Sequence, residues 1–288
     1  ILRAVGDTKR PMSYLIVAGI VNVVFNLFFV IVFKWDVFGV GIATAISQII
    51  SAILVIRCLC KTEGMIHLEL KELRIYRDKL MKILQTGLPA GLQSSLFNIA
   101  NVTIQSSVNL FGATVVAGNA AATNIGSFIH AAQDSFSQAS LTFTSQNVGA
   151  GKRERIGKVL RTALGCVTIT GMIVGWGAYL IGPQLLSFYT NSSAVVDAGM
   201  AKLSFTATTY LFCGIMGVLV GSLRGMGYSV LPVINTFLGT CVLRILWLQT
   251  IFRIPQFHYV EMVYIVFPLS WIVTAVAQMI SYFVVRRK

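Results

Sequence analysis

The sequence predicts an all-α, polytopic membrane protein, and three observations carry that expectation. Of its 288 residues, 56% are hydrophobic and only 11% charged, whereas a soluble domain carries about 25% charged residues. Its mean hydropathy is +0.77. Eight apolar runs are long enough to cross a bilayer, which takes ~20 residues as a helix. Lipid offers no partner to an unpaired amide, so runs of that kind have no backbone solution other than helices.

In chain order the runs are Met12–Phe33, Val37–Ile56, Ile83–Phe111, Ala113–Gln146, Lys158–Phe188, Ala194–Ser222, Val230–Phe252 and Val260–Val285. The formal net charge of +13 follows them. Arg3, Lys9 and Arg10 precede the first run, and further basic groups fill Arg57 to Lys82, Lys152 to Arg161, Arg224, and Arg286 to Lys288. The alternate loops hold only Lys34 and Arg253. Every second loop is basic, so the positive-inside rule places those loops and both ends of this chain in the cytoplasm. Basic charge here encodes orientation, and no nucleic-acid partner is expected.

Cys58, Cys60, Cys166, Cys213 and Cys241 show neither a Cys-x-x-Cys pair nor a secreted framework, and they read as small apolar residues. No metal, cofactor or cleavable leader is expected. The first residue is Ile, which suggests a longer protein.

An internal repeat shapes the rest. "LRAVGDTKRP" (Leu2–Pro11) matches "LRGMGYSVLP" (Leu223–Pro232), pairing Arg3 with Arg224, Gly6 with Gly227 and Pro11 with Pro232. Further on, "AISQIISAILVIR" (Ala45–Arg57) matches "AVAQMISYFVVRR" (Ala275–Arg287). Two blocks in the same order argue for duplication into parallel halves related by an axis along the membrane normal. Residues 1–60 then supply the last two helices of a first lobe, 61–82 a cytoplasmic linker, and 83–288 a complete six-helix second lobe. The whole protein is expected to have about twelve spans, eight of them here. Within the linker, Leu73, Tyr76, Leu80 and Ile83 recur at helical spacing among charges, which predicts an amphipathic helix on the membrane surface.

Polar residues inside the apolar runs mark the functional region. In the third run Ser94, Asn98, Asn101, Gln105 and Asn109 recur every three or four residues, on one helical face, with Gln93 near its start after "GLPAG". Single amides glue helices together at ~0.6 kcal/mol each; five on one face favour a cavity lining. That "GLPAG" segment is expected to loosen the helix start. The fourth run adds Thr123, Ser127, His130, Asp134 and Gln138. An ionised carboxylate at mid-membrane costs ~2.5–3.5 kcal/mol even on lenient scales, so Asp134 is a candidate ion-coupling group, with His130 one turn away able to share its proton. Asn22 and Asn26 mark a polar face on the first run, Arg244 needs a counter-charge or carbonyls, and Lys202, near Asp197, is expected to snorkel. No constellation for catalysis is present, so an enzyme is disfavoured.

"GLPAGLQSSLFNIANVTIQSSVNLFG", "QNVGAGKRERI" and "LRGMGYSVLP" resemble, in order and spacing, the second lobe of bacterial multidrug and toxic compound extrusion (MATE) transporters, and "LRAVGDTKRP" resembles the matching segment of their first lobe. The resemblance implies two six-helix lobes around a central cavity. It also implies export of small cationic organic substrates in exchange for Na+ or H+, by a monomer in the bacterial inner membrane. Family members place coupling carboxylates in the first lobe or on the seventh and tenth helices. The seventh corresponds to Ile83–Phe111, which has no acid, and the tenth offers only Asp197. The coupling acid is therefore expected upstream of this chain, with Asp134 the best candidate within it. Arg3, Arg224, Gln146, Asn147 and Arg244 are expected to act structurally or in gating. A lipid-linked oligosaccharide flippase of the same superfamily is the alternative, with an Arg-rich cavity as its signature; a membrane-embedded enzyme is the outsider.

Overall fold

The computed structural model describes residues 2–64 and 66–287. The chain divides into two compact units, Ile1–Arg77 and Asp78–Lys288. Among the described residues there is no β-strand, only helices and their connections.

In the first unit a short 3-10 turn, Leu2–Val5, leads into α1 (Lys9–Leu27), which runs on through a π-helical turn, Phe28–Val32, and a tight loop into α2 (Asp36–Lys61). Small residues make the pairing possible. Gly39, Ala43, Ser47 and Ser51 are buried at four-residue intervals on α2, the pattern that lets membrane helices approach closely. Asn22 donates to Ser47 Oγ (3.3 Å) and Thr44 Oγ1 (3.4 Å), and Asn26 to Asn22 Oδ1 (3.0 Å). That polar face is interhelical glue.

The expected surface helix does not form as one element. After Lys61 the chain turns extended at Thr62 and takes a left-handed glycine at Gly64 (φ 98°). The Leu68 amide then bonds back to the Leu59 carbonyl (3.2 Å), and Ile66 and Leu68 pack beside Leu2, Cys58 and Leu59. Apart from a 3-10 turn, Leu70–Glu72, the segment is irregular until α3 begins at Arg77. Leu73 and Tyr76 thus lie outside any helix; Leu80 and Ile83 belong to α3.

The second unit contains α3 (Arg77–Val108), α4 (Ala113–Gly149), α5 (Ile156–Leu180), α6 (Gly182–Ser187), α7 (Ser193–Thr206), α8 (Tyr210–Gly225), α9 (Val230–Thr236), α10 (Leu243–Gln249), α11 (Val260–Tyr264) and α12 (Val266–Arg287). A π-helical turn, Phe237–Val242, fuses α9 and α10 into one rod. α3 starts earlier than expected and passes unbroken through Pro89. One missing amide is tolerable in so long a membrane helix. The expected fifth span breaks at Ile181 into α5 and α6, and the sixth is bent by 46° between α7 and α8.

Among the described residues five helices are long and apolar enough to cross a membrane, or six if the bent pair is one span. This is a multi-pass membrane protein. α3 and α4 are not among them. At ~1.5 Å per residue α3 runs roughly 48 Å, longer than a ~30 Å hydrocarbon core, but its Ser, Asn and Gln dilute the apolar character.

α8 is the packing centre of the second unit. Val218, Leu219 and Leu223 are fully buried against Leu160, Val167 and Tyr282 from α5 and α12. Its other side meets α4 at backbone distance, because a Cβ on Gly221 would collide with the Ser137 carbonyl. Ser137 Oγ donates to the Gly217 carbonyl (2.8 Å) and Ser140 Oγ to that of Val218 (3.0 Å).

Candidate functional site

The polar faces of α3 and α4 meet α7, α8, α10 and α12 around two adjoining compartments. One, of about 370 Å³, lies beside Asn101, Gln105, Thr123, Lys202 and Arg244. The other, of about 280 Å³, lies beside Gln93, Ser94, Asp134, Gln138 and Arg224. Phe97, Asn98, His130 and Cys213 line both. Every expected cavity residue of α3 except Asn109 is therefore found at a compartment wall. Asn109 sits in a 3-10 turn past the end of α3 and accepts from Gln105 Nε2 (2.8 Å).

Several of these side chains also bind the helices together, so cavity lining and helix adhesion are not alternatives here. Gln93 donates to Thr236 Oγ1 (2.6 Å) and accepts from Arg224 Nη2. Asn119 on α4 donates to Gln105 Oε1 (2.8 Å). Asp134 is exposed on α4, with Gln138 Nε2 at 3.5 Å. Among the described residues no hydrogen bond joins it to His130, so the expected shared proton has no geometric support, although both face the same compartment.

Among the described residues Arg244 finds neither a counter-charge nor a ring of carbonyls. It is fully buried on α10, donating from Nε to Ser270 Oγ (3.0 Å) and from Nη1 to Asn101 Oδ1 (2.9 Å). Its guanidinium carbon lies 4.8 Å from the centroid of the Phe267 ring and 5.3 Å from that of Phe97. Aromatic faces attract a cation electrostatically, so the two rings and two oxygens together replace part of its hydration.

Lys202 corrects a second expectation. It does not snorkel outward: it is 7% exposed, and its ammonium donates to Thr123 Oγ1 (2.5 Å) and the Asn119 carbonyl (3.4 Å). The same Phe267 ring lies 5.7 Å away. The close approach of α4 and α7 causes this, since a Cβ on Gly118 would sit 2.7 Å from the Gly199 amide nitrogen. Asp197, its neighbour in sequence, stays exposed. An intramembrane lysine is itself a signal of function, and that signal was available in the sequence.

The remaining expected residues lie at the ends of helices. Asn147 Nδ2 donates to the Phe143 carbonyl (2.8 Å), its own carbonyl accepts from the Lys152 amide, and the Gln146 carbonyl accepts from Ala150. These bonds close the α4 C-terminus. The Arg3 and Arg224 carbonyls accept from Gly6 and Gly227 in matching turns.

A family model, MatE, matches residues 89–248, more than half of the chain. The chain belongs to the MATE family. Among curated relatives, the Bacillus subtilis protein described as "Probable multidrug resistance protein YpnP" is 26% identical over 244 residues, covering 85% of this chain and 54% of that one. "Probable multidrug resistance protein YoeA", also of Bacillus subtilis, is 24% identical over 241 residues, covering 81% and 52%. The chain thus spans about half the length of the curated relatives it matches. Among solved structures, a MATE in complex with MaL6 superposes with a TM-score of 0.90 at 19% identity, over 99% of this chain and 64% of that one. A MOP superfamily transporter from Pyrococcus furiosus, described as having a binding pocket of reverse polarity that suggests a different function, also scores 0.90, at 20% identity over the same shares. These likenesses show the MATE fold. The relatives are transporters, not enzymes.

Proposed function

We propose that the protein is a secondary active efflux transporter of the bacterial plasma membrane, exporting small organic molecules, cationic ones among them, in exchange for Na+ or H+ by alternating access. The observation that carries this reading is the pair of polar compartments walled by α3 and α4 inside an otherwise apolar helical unit. The 370 Å³ space lies within the ~300–1,000 Å³ typical of small-molecule sites, and the 280 Å³ space adjoins it just below that range. Asp134, the one acid lining a compartment among the described residues, lies with the Phe97 ring beside the 280 Å³ space, an arrangement suited to an organic cation or a coupling ion. A ligand that binds the two facing states differently shifts the population between them, and a carboxylate that holds either substrate or ion supplies that difference.

One observation favours the flippase reading: two buried cations, Arg244 and Lys202, face the 370 Å³ space. The size of that space argues against a lipid-linked oligosaccharide. Full-length protein in sealed vesicles with an imposed Na+ or pH gradient tests the choice. Ethidium should move against its gradient under one of the two; no movement above protein-free vesicles under either overturns the reading.

A further inference from the structure

We propose that the 370 Å³ compartment is a site for the acidic group of the substrate, so that the preferred cargo is zwitterionic: an organic cation that also carries a carboxylate. The inference rests on the efflux reading and names the substrate class for it.

The Lys and Arg side chains of this compartment stand among neutral amides, hydroxyls and apolar groups, with no carboxylate beside them among the described residues. Arg244 is fully buried and Lys202 nearly so, and both lie over the face of Phe267. Burying an ionised group is unfavourable unless it is paired, and two like charges on one ring make it worse. Yet no Asp or Glu lines this space among the described residues, whose one ion pair, Asp7 with Arg10, lies in the other unit. The neutral partners present are too few. Arg244 Nη2 has no hydrogen-bond acceptor, and neither has the indole Nε1–H of Trp271, another buried donor in the same wall. Lys202 has three ammonium protons and two acceptors.

A compartment with unmet donors and unmatched positive charge lacks an anionic acceptor. A carboxylate fits best, since a guanidinium presents paired N–H groups to its two oxygens. It would take the place of Asn101 Oδ1 on Nη1, engage Nη2 as well, and bring a negative charge between the two cations. The adjoining compartment differs in holding a carboxylate, Asp134, together with its own cation, Arg224, whose Nη2 donates to Gln93. The shared wall of Phe97 and Asn98 lets one molecule reach both. A zwitterion laid across them satisfies Asp134 at one end and Arg244 with Lys202 at the other. A simple cation leaves the second pair unmet.

Equilibrium binding of two dyes to purified full-length protein in nanodiscs tests this without any gradient, so a failure of transport leaves the result readable. Rhodamine B carries a delocalised cation and a free carboxylate; its ethyl ester keeps the cation and loses the acid. The wild type should bind rhodamine B at least about tenfold more tightly than the ester, as a charge-assisted bond of this kind supplies. Arg244→Gln and Lys202→Met should each cut that preference to about threefold or less. Arg244→Lys, which keeps the charge but loses the paired N–H groups, should keep only part of it. Asn101→Asp, which offers Arg244 a carboxylate from within the chain, should erase it without unfolding the protein. Equal or tighter binding of the ester by wild type overturns the proposal. So does a preference that survives both Lys202→Met and Asn101→Asp, the two variants that do not rely on removing Arg244.

Discussion

Gly6 and Gly227 hold the same left-handed backbone, φ 89° and 94°, and close the same turn. In each copy the glycine amide bonds to the arginine carbonyl three residues back, Arg3 or Arg224, at 3.1 and 2.9 Å. The following amide reaches the leucine carbonyl, Leu2 or Leu223, at 3.1 and 3.0 Å. The shared Leu-Arg-x-x-Gly pattern is thus the sequence of a helix terminator. It leaves the next helix free to start before its proline, which sits early in α1 and in α9.

A side chain at either glycine meets open space, so its cost is conformational alone. Forcing an L-residue into this region costs roughly 1–2 kcal/mol. Gly227→Ala is expected to lower the apparent melting temperature by about 2–4 °C. Gly19→Ala, in the middle of α1 with equally open surroundings, is the control and should not lower it. Differential scanning fluorimetry of the two variants distinguishes them, and equal losses would contradict the turn argument.

Neutralising Asp134 should separate function from stability. Its side chain is exposed and its hydrogen bond to Gln138 is long, at 3.5 Å, so Asp134→Asn is expected to stay within about 0.5 kcal/mol of wild-type stability. Gradient-driven export in vesicles should fall on the order of tenfold, a loss of about 1.4 kcal/mol in the coupled step, without vanishing. Complete loss would make Asp134 the principal coupling group, and wild-type rates would leave it without a role in coupling.

The charge placement sets an expected orientation that labelling can test. Cysteines introduced at Lys34 or Arg253, in a background without the five native ones, should react with an impermeant thiol reagent in intact cells. Those at Lys71 or Lys152 should react only after permeabilisation. Equal labelling at all four positions would refute the positive-inside assignment.

The helices and the polar stripe were legible in the sequence because both are periodic. Asn98, Asn101 and Gln105 are displayed together by any α-helix, whatever surrounds it. What surrounds it was not legible. Asn101 and Arg244 were each conspicuous, yet nothing in either one's neighbourhood says that α10 lies against α3. Nothing in the sequence marks Phe97 and Phe267 as partners of Arg244; the fold brings their rings to its guanidinium. Lys202 was misread because Asp197 stands nearby in sequence. The bend after Thr206 and the glycine crossing at Gly118 decide its environment, and both are tertiary. In the linker, the helical spacing of Leu73, Tyr76, Leu80 and Ile83 is used only in part, because α3 begins at Arg77 and the first two lie in the irregular segment before it.

The glycine-mediated contact between α4 and α8 has a mechanical consequence. Two helices that touch backbone to backbone at Gly221, with Ser137 and Ser140 hydroxyls on the facing carbonyls, have only short side chains between them at that point. They form a stiff girder. α3 is fastened differently, through side-chain amides at Gln93, Asn101 and Gln105 and the Cys241 thiol on the Leu96 carbonyl. Such fastenings can be exchanged one at a time for other polar partners, whereas the girder can yield only by separating as a whole. Compliance in this unit is therefore concentrated along α3, a wall shared by both compartments.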